Sequence, residues 1–128
     1  VGNPHAVTFL DSLNIDVERY GRMIGSDRIF PAGANVSFVR PLRVGTLQAR
    51  VWERGSGETL ACGTGTCATV VAAVLCGYAK ADTEVEVELL GGTLRILWDR
   101  GSDLVYMTGP ATAVYEGEID LSQFLAVQ

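Results

Sequence analysis

Residues 61–79 read ACGTGTCATVVAAVLCGYA, and this stretch decides the fold. Its second half is apolar on every side, and a helix without a polar face has to be enclosed by other elements. The pattern predicts a helix over residues 63–76, with Cys62 at its N-terminus and Gly77 as its terminator. The remainder of the chain therefore has to wrap around this helix.

The segments on both sides of the helix alternate between apolar and polar residues, as half-buried strands do. The predicted strands are residues 6–10, 35–39, 46–54, 83–90, 93–99, 103–109 and 112–119, with Gly91-Gly92 as a hairpin turn. Helical spacing predicts an amphipathic helix over 14–26, capped by Asp11-Ser12 and ended by Gly25. We therefore predict an α+β fold, a curved, barrel-like, mostly antiparallel sheet wrapped around a central apolar helix, as one domain over residues 1–128.

Composition narrows the class of protein. With 128 residues, 48% of them hydrophobic, the chain can bury the core of one soluble domain. A net charge of −5 without any basic cluster disfavours nucleic acid as a partner. No stretch reaches the roughly 18 apolar residues of a membrane span. Three cysteines, an odd number, predict free thiols and a reducing cytoplasmic location. Their spacing, with His5 as the single histidine, predicts no metal site.

Cys62 stands where the first-turn N–H groups of a helix have no intrahelical partners and the helix dipole is positive. Such a position lowers the pKa of a thiol, and the same N–H groups can bind a carboxylate. Gly63 and Gly65 would let a ligand approach the backbone, and Thr64 adds a hydroxyl group. The alternative, a small buried residue ahead of a helix, stays open. Cys67 and Cys76 fall inside the helix and are predicted to be core residues.

Other polar residues are candidates for substrate contacts. Glu53 and Arg54 end a predicted strand, where they are either a solvated charge pair or ligands for an amine and a carboxylate. Asn3 and His5 lie in a turn before the first strand, and Asn35 begins another. Lys80, the single lysine, follows the apolar helix at the end remote from Cys62, so pyridoxal chemistry is not expected and no cofactor is predicted.

Four stretches together resemble the C-terminal half of the diaminopimelate epimerase family. They are GNPH at 2–5, NVSFV at 35–39, VWERGSGETLACGTGTCA at 51–68 and VYMTGPATAVYEGEI at 105–119. The resemblance implies one half of a two-domain, pseudo-symmetric fold, each half a sheet curled around a helix. It also implies a cofactor-independent isomerase of lysine biosynthesis that interconverts LL- and meso-diaminopimelate through two cysteines, one from each half.

Residue roles follow from the resemblance and not from spacing. Cys62 matches the cysteine that exchanges the α-proton, and Gly63 and Thr64 match positions that hold the reacting carboxylate. Asn3, Asn35 and Arg54 match residues that hold the distal carboxylate. Glu53 matches a substrate contact that also tunes the pKa of this cysteine. His5 matches a residue that tunes the pKa of the cysteine in the other half.

The chain begins with Val-Gly-Asn-Pro-His, which indicates a piece of a longer protein. The N-terminal half and its cysteine are absent from these residues, and a two-base reaction needs bases on opposite faces of the α-carbon. We therefore expect this chain alone to be inactive. Its partners are then a small amino-acid substrate and the missing half. Exposed interface surface predicts self-association, for which a homodimer is one candidate assembly.

Two other functions stay open. A proline or hydroxyproline racemase-type enzyme would have a similar fold and a similar turn at its cysteine. Its substrate lacks the distal carboxylate that Asn3, Asn35 and Arg54 would bind. A non-catalytic module that kept the fold is the second alternative.

Overall fold

The computed structural model describes residues 2–124. Its elements, in chain order, are β1 His5–Phe9, α1 Val17–Gly25, β2 Asn35–Arg43, β3 Thr46–Glu53, β4 Gly57–Thr59, α2 Gly63–Leu75, β5 Val85–Leu89, β6 Gly92–Asp99, β7 Leu104–Thr108 and a 3₁₀ helix Leu121–Gln123. No helix within residues 2–124 is both long and apolar enough to cross a bilayer.

A single sheet organises the molecule. Its strand order is β1-β2-β3-β5-β6-β7, and β4 pairs with β3. The β1–β2 and β3–β5 pairs are parallel, and the other pairs are antiparallel. The first residues of β3 pair with β5 and its last residues pair with β4. The short strand β4 therefore carries the chain from the end of β3 to the start of α2.

The two helices pack on opposite faces of β2 and β3, because side chains alternate between the faces of a strand. On the α2 side, Val39, Leu47 and Ala49 pack with Val70 and Ala73 of the helix. On the α1 side, Val17 packs with Val36 and Phe38. The predicted α+β fold, a curved and mostly antiparallel sheet around an apolar helix, is confirmed.

The sheet covers α2 on one face only. Buried positions of the helix include Thr66, Thr69, Val70 and Ala73, whereas Leu75 is 67% exposed. Complete enclosure of this helix, expected from its apolar composition, is therefore not found within residues 2–124. The sheet is a half-barrel with an opening along the helix.

Most predicted elements are found, with shifted ends. The amphipathic helix begins at Val17 because Asp16, not Asp11-Ser12, is its N-cap and accepts a hydrogen bond from the backbone of Arg19. The β5–β6 turn is Leu90-Gly91, one residue before the predicted Gly91-Gly92. The short strand β4 was not predicted.

One predicted strand is wrong. Residues 112–119 have no regular secondary structure, and Val114 and Tyr115 are each 86% exposed. Alternation shows only that one side of a segment could be buried. It does not supply the neighbouring strand that a ladder needs, and none is present here among residues 2–124.

Candidate active site

Three adjacent strands bring polar residues to one end of the sheet. His5 begins β1 and is paired with Asn35, which begins β2. Val36 is paired with Trp52, so Asn35 lies opposite Glu53 at the end of β3. Asn35 shares its face of β2 with Val39, which packs in the α2 core. His5, Asn35 and Glu53 thus form a polar row on the side of the sheet that faces α2.

Asn35 is the buried member of this row, with 7% exposure. Its Oδ1 accepts a hydrogen bond from the backbone N of Arg54 at 2.8 Å, and its own backbone N donates to Pro4 O at 3.0 Å. Because Oδ1 is occupied, the amide nitrogen is the end of the side chain that remains for a ligand. An amide nitrogen only donates, which suits a carboxylate.

The His5 ring has one polar neighbour, Asn3, and is otherwise partly buried. Its Nε2 lies 3.3 Å from Asn3 Oδ1, and its Nδ1 is buried without a hydrogen-bond partner among residues 2–124. Burial lowers the pKa of His5, and the Glu53 carboxylate opposes that shift. The imidazole ring is therefore favoured in its neutral form near neutral pH.

Glu53 and Arg54 make separate contacts. Thr59 Oγ1 donates to Glu53 Oε1 at 2.7 Å. The Arg54 guanidinium donates through Nη1 to Ala32 O, and its stem lies over Gly33, where a Cβ would come within 2.7 Å of Arg54 Cδ. Within residues 2–124 the two side chains form no ion pair with each other, contrary to the charge-pair alternative.

Cys62 is the N-cap of α2, with an extended backbone at φ −137° and ψ 111°. Its Sγ accepts a hydrogen bond from Gly65 N at 3.4 Å and lies 3.5 Å from Thr64 Oγ1. Thr66 donates to Cys62 O through both its backbone N and its hydroxyl, at 2.8 Å and 2.7 Å. The thiol is therefore fixed where the free N–H groups of the helix start converge, and at 8% exposure it is shielded from bulk water.

The two glycines of this turn have different uses. A Cβ on Gly65 would lie 3.2 Å from Cys62 Sγ and 3.3 Å from Val51 Cγ1, so Gly65 makes room for the thiol and not for a ligand. A Cβ on Gly63 would lie 3.2 Å from Met107 Sδ. Met107, on β7, thus forms a wall beside the cysteine turn. Neither Met107 nor Thr59 was found from the sequence, since only strand register reveals them.

A groove with a volume of about 530 Å³ follows the open face of α2. We call it the α2 groove; Ala68, Val71, Ala72 and Leu75 line it on the helix side. Asn3 and His5 border this groove, whereas Cys62 does not. The groove is therefore separate from the thiol.

The other two cysteines differ from each other. Cys67 packs against the α2 core, and burial raises the pKa of its thiol. Cys76, predicted to be a core residue, is exposed at the C-cap of α2. Gly77 follows with a positive φ of 81° and ends the helix, so Cys76 lies beyond the packed turns. Among residues 2–124, no group of three or more His, Cys, Asp or Glu is arranged to hold a metal ion.

Comparison with known proteins relates residues 1–114 to the family described as "Diaminopimelate epimerase". A protein of that name from Methanococcus maripaludis is 48% identical over 122 residues, which cover 94% of this chain and 43% of that protein. A protein of the same name from Microcystis aeruginosa is 51% identical over 118 residues, which cover 91% of this chain and 41% of that protein. The chain thus spans less than half the length of the curated relatives it matches.

Among solved structures, a phenazine biosynthesis protein of the PhzF family from Bacillus anthracis aligns with a TM-score of 0.59 at 22% identity. That alignment covers 83% of this chain and 34% of the other. A PhzF-family protein from Enterococcus faecalis aligns with a TM-score of 0.57 at 21% identity, over 77% of this chain and 35% of the other. These likenesses concern the fold alone.

Proposed function

The chain belongs to the diaminopimelate epimerase family, and from this premise we propose that it supplies one of two cysteine bases to an enzyme that epimerises LL-diaminopimelate to meso-diaminopimelate. The observation that carries the proposal is the position of Cys62 Sγ, which accepts a hydrogen bond from Gly65 N at the start of α2. In that position the sulfur lies beside backbone amides of the first helical turn, which can hold a carboxylate.

The proposed chemistry is a proton exchange without net oxidation. Cys62, as thiolate, takes the α-proton, and the electron pair of the C–H bond passes into the adjacent carboxylate. The free amides at the start of α2 stabilise the enediolate-like charge that develops there. A thiol from the missing half then returns a proton to the opposite face of the carbon. Exclusion of water when the halves close over the substrate strengthens both effects.

The remaining site residues bind the substrate. Gly63 and Thr64, at the helix start, hold the reacting carboxylate. Asn3, Asn35 and Arg54 hold the distal carboxylate, for which the donor end of the Asn35 amide is suited. Glu53 accepts from an ammonium group of the substrate. His5 acts on the cysteine of the missing half through its own charge state.

This division of roles leaves the 128-residue chain with one base, since Cys67 lies within the helix that Cys62 precedes and Cys76 is the C-cap of that helix. We therefore propose that the chain alone is inactive and that the missing half is its obligatory partner. Epimerisation of diaminopimelate by this chain without any added partner would contradict the assignment.

The decisive test is Cys62→Ser in the full-length protein, with turnover of diaminopimelate and circular dichroism as readouts. Turnover should fall by at least about a thousandfold, because a hydroxyl is a far weaker acid than a thiol, while the fold is retained. Cys76→Ser, at the exposed C-cap, is the matched control and should leave turnover unchanged. Near-parental turnover of the Cys62 variant would remove this residue from the chemistry.

Two alternatives are separated by one further experiment. A proline racemase-type enzyme would exchange the α-proton of proline with deuterated water, whereas the proposed enzyme exchanges that of diaminopimelate. Arg54, Asn3 and Asn35 favour diaminopimelate, because proline has no distal carboxylate. A non-catalytic module would exchange neither.

A further inference from the structure

We propose that Thr59 is a positioning residue for Glu53: its hydroxyl fixes one carboxylate oxygen so that the other faces the substrate. The inference rests on the proposed function, which gives Glu53 its contact with the substrate. It extends that function by one residue, on the short strand β4.

The register of the β3–β4 hairpin places Thr59 for this role. Val51 is paired with Thr59, and Glu53 is paired with Gly57. Val51, Glu53 and Thr59 therefore share one face of the hairpin. On that face Val51 Cγ1 lies beside Gly65, within the first turn of α2. The contact between Glu53 and Thr59 thus forms on the side of the hairpin that faces the cysteine turn.

The hydrogen bond has the ordinary length for a hydroxyl that donates to a carboxylate. Thr59 Oγ1 donates to Glu53 Oε1 at 2.7 Å, in a half-buried position. Gly57, directly opposite Glu53, has no side chain, so Thr59 is the diagonal neighbour across the hairpin that can donate to the carboxylate. A threonine hydroxyl has one proton to donate, and a carboxylate has lone pairs on both oxygens. Oε2 is therefore left for an ammonium group of the substrate.

A carboxylate that binds a substrate does so best when its direction is set before the substrate arrives. An unrestrained glutamate rotates about several bonds, and that freedom has to be lost on binding. A donor already bound to Oε1 removes most of this freedom in the free enzyme. Thr59 therefore acts through Glu53 and has no contact of its own with the reacting atoms.

The test compares three variants of the full-length protein. Thr59→Val removes the hydroxyl and keeps the branched shape that suits a strand, whereas Thr59→Ser keeps the hydroxyl. Thr83→Val is the matched control, because Thr83 Oγ1 donates to Ala81 O in an exposed loop. We expect kcat/KM for diaminopimelate to fall about ten- to a hundredfold in Thr59→Val, as for loss of a hydrogen bond to a charged group. Thr59→Ser and Thr83→Val should stay within about twofold of the parent.

A double-mutant cycle with Glu53→Gln separates positioning from a general loss of stability. If Thr59 acts through Glu53, Thr59→Val should lower kcat/KM less than about twofold once Glu53→Gln is present. The inference would be overturned if Thr59→Val lowered kcat/KM equally with and without Glu53→Gln. It would also be overturned if Thr59→Val and Thr59→Ser lowered kcat/KM equally, or if Thr59→Val kept near-parental kcat/KM.

A crystal structure of the full-length Thr59→Val variant gives a readout that does not depend on activity. We expect the Glu53 carboxylate to leave its present position, and an unchanged carboxylate would overturn the inference. If the unsubstituted full-length protein does not turn over diaminopimelate, the proposed function fails. The position of the carboxylate then decides the role of Thr59 by itself.

Discussion

At the scale of single residues, His5 shows how burial sets a protonation state. Its ring lies at the start of β1, with Nε2 near Asn3 and Nδ1 buried without a partner among residues 2–124. Burial penalises the charged imidazolium, while the Glu53 carboxylate favours it. The two effects oppose each other, and burial is the larger.

The ring of His5 should therefore titrate below the value of 6.5 that is ordinary for histidine. Because the folded-state pKa is lowered, the stability that neutral His5 contributes is present above pH 6.5 and is lost as the pH falls below 6.5 and through the lower folded-state pKa. An NMR titration of the full-length protein, with the ring assigned through His5→Gln, would measure this. Glu53→Gln should lower the pKa further, since it removes the charge that opposes burial. A pKa at or above 6.5 in the parent would contradict this account.

The sequence predicts some site residues better than others, for a physical reason. The position of Cys62 at the start of the apolar helix could be predicted, because the Gly-Thr-Gly stretch leads directly into the apolar residues of that helix. Thr59 and Met107 could not, because their contacts depend on which strands pair and in which register. Cys76 was misjudged as a core residue, since apolar composition does not show where the packed part of a helix ends.

At the scale of elements, Arg50 connects the segment before α1 to the sheet. Its Nε and Nη2 donate to the two carboxylate oxygens of Glu58, at 2.7 Å and 2.9 Å. Its Nη1 donates to Leu13 O and Ile15 O, at 2.9 Å and 3.2 Å. One guanidinium therefore links β3, β4 and the segment before α1, and its planar fork of donors makes these contacts possible.

Arg50→Lys should lower the free energy of unfolding of this domain by about 1–2 kcal/mol, because an ammonium group cannot reproduce the bidentate contact. Urea unfolding of the full-length protein would measure the change. Arg95→Lys is the matched control, since the Arg95–Glu84 pair is a single, half-exposed contact at 3.5 Å. Equal midpoints for the two variants would show that the Arg50 contacts add nothing beyond a surface pair.

Helices and strands were predictable wherever a periodic pattern also had a packing partner. The β5–β6 hairpin and the amphipathic helix α1 satisfied both conditions, and both are found. Residues 112–119 have the periodic pattern but no strand to pair with among residues 2–124. The strand β4 has three residues, too few for alternation to be recognised.

At the scale of the whole molecule, the opening of the half-barrel is the main feature. The sheet covers one face of α2, and the other face lines the α2 groove with small and branched apolar side chains. Leu75 is 67% exposed there. Exposed apolar surface of this kind is characteristic of interfaces.

The 128-residue chain by itself should therefore self-associate through this face. Light scattering at increasing concentration should show a rising mass, and Leu75→Gln should reduce it. Met23→Gln on α1 is the matched control, because Met23 is similarly exposed, at 59%, but lies away from the groove. A monomer at all concentrations would contradict the prediction.

The parallel pairing of β1 with β2 has a further consequence for how the protein folds. These strands are separated in the chain by α1 and its loops, so their pairing closes a long loop, whereas the hairpins of β5, β6 and β7 close short ones. Long loops lose more chain entropy on closure and tend to form slowly. Since His5 and Asn35 meet only across that pair, competence to bind a ligand should be acquired late in folding, after most of the secondary structure has formed.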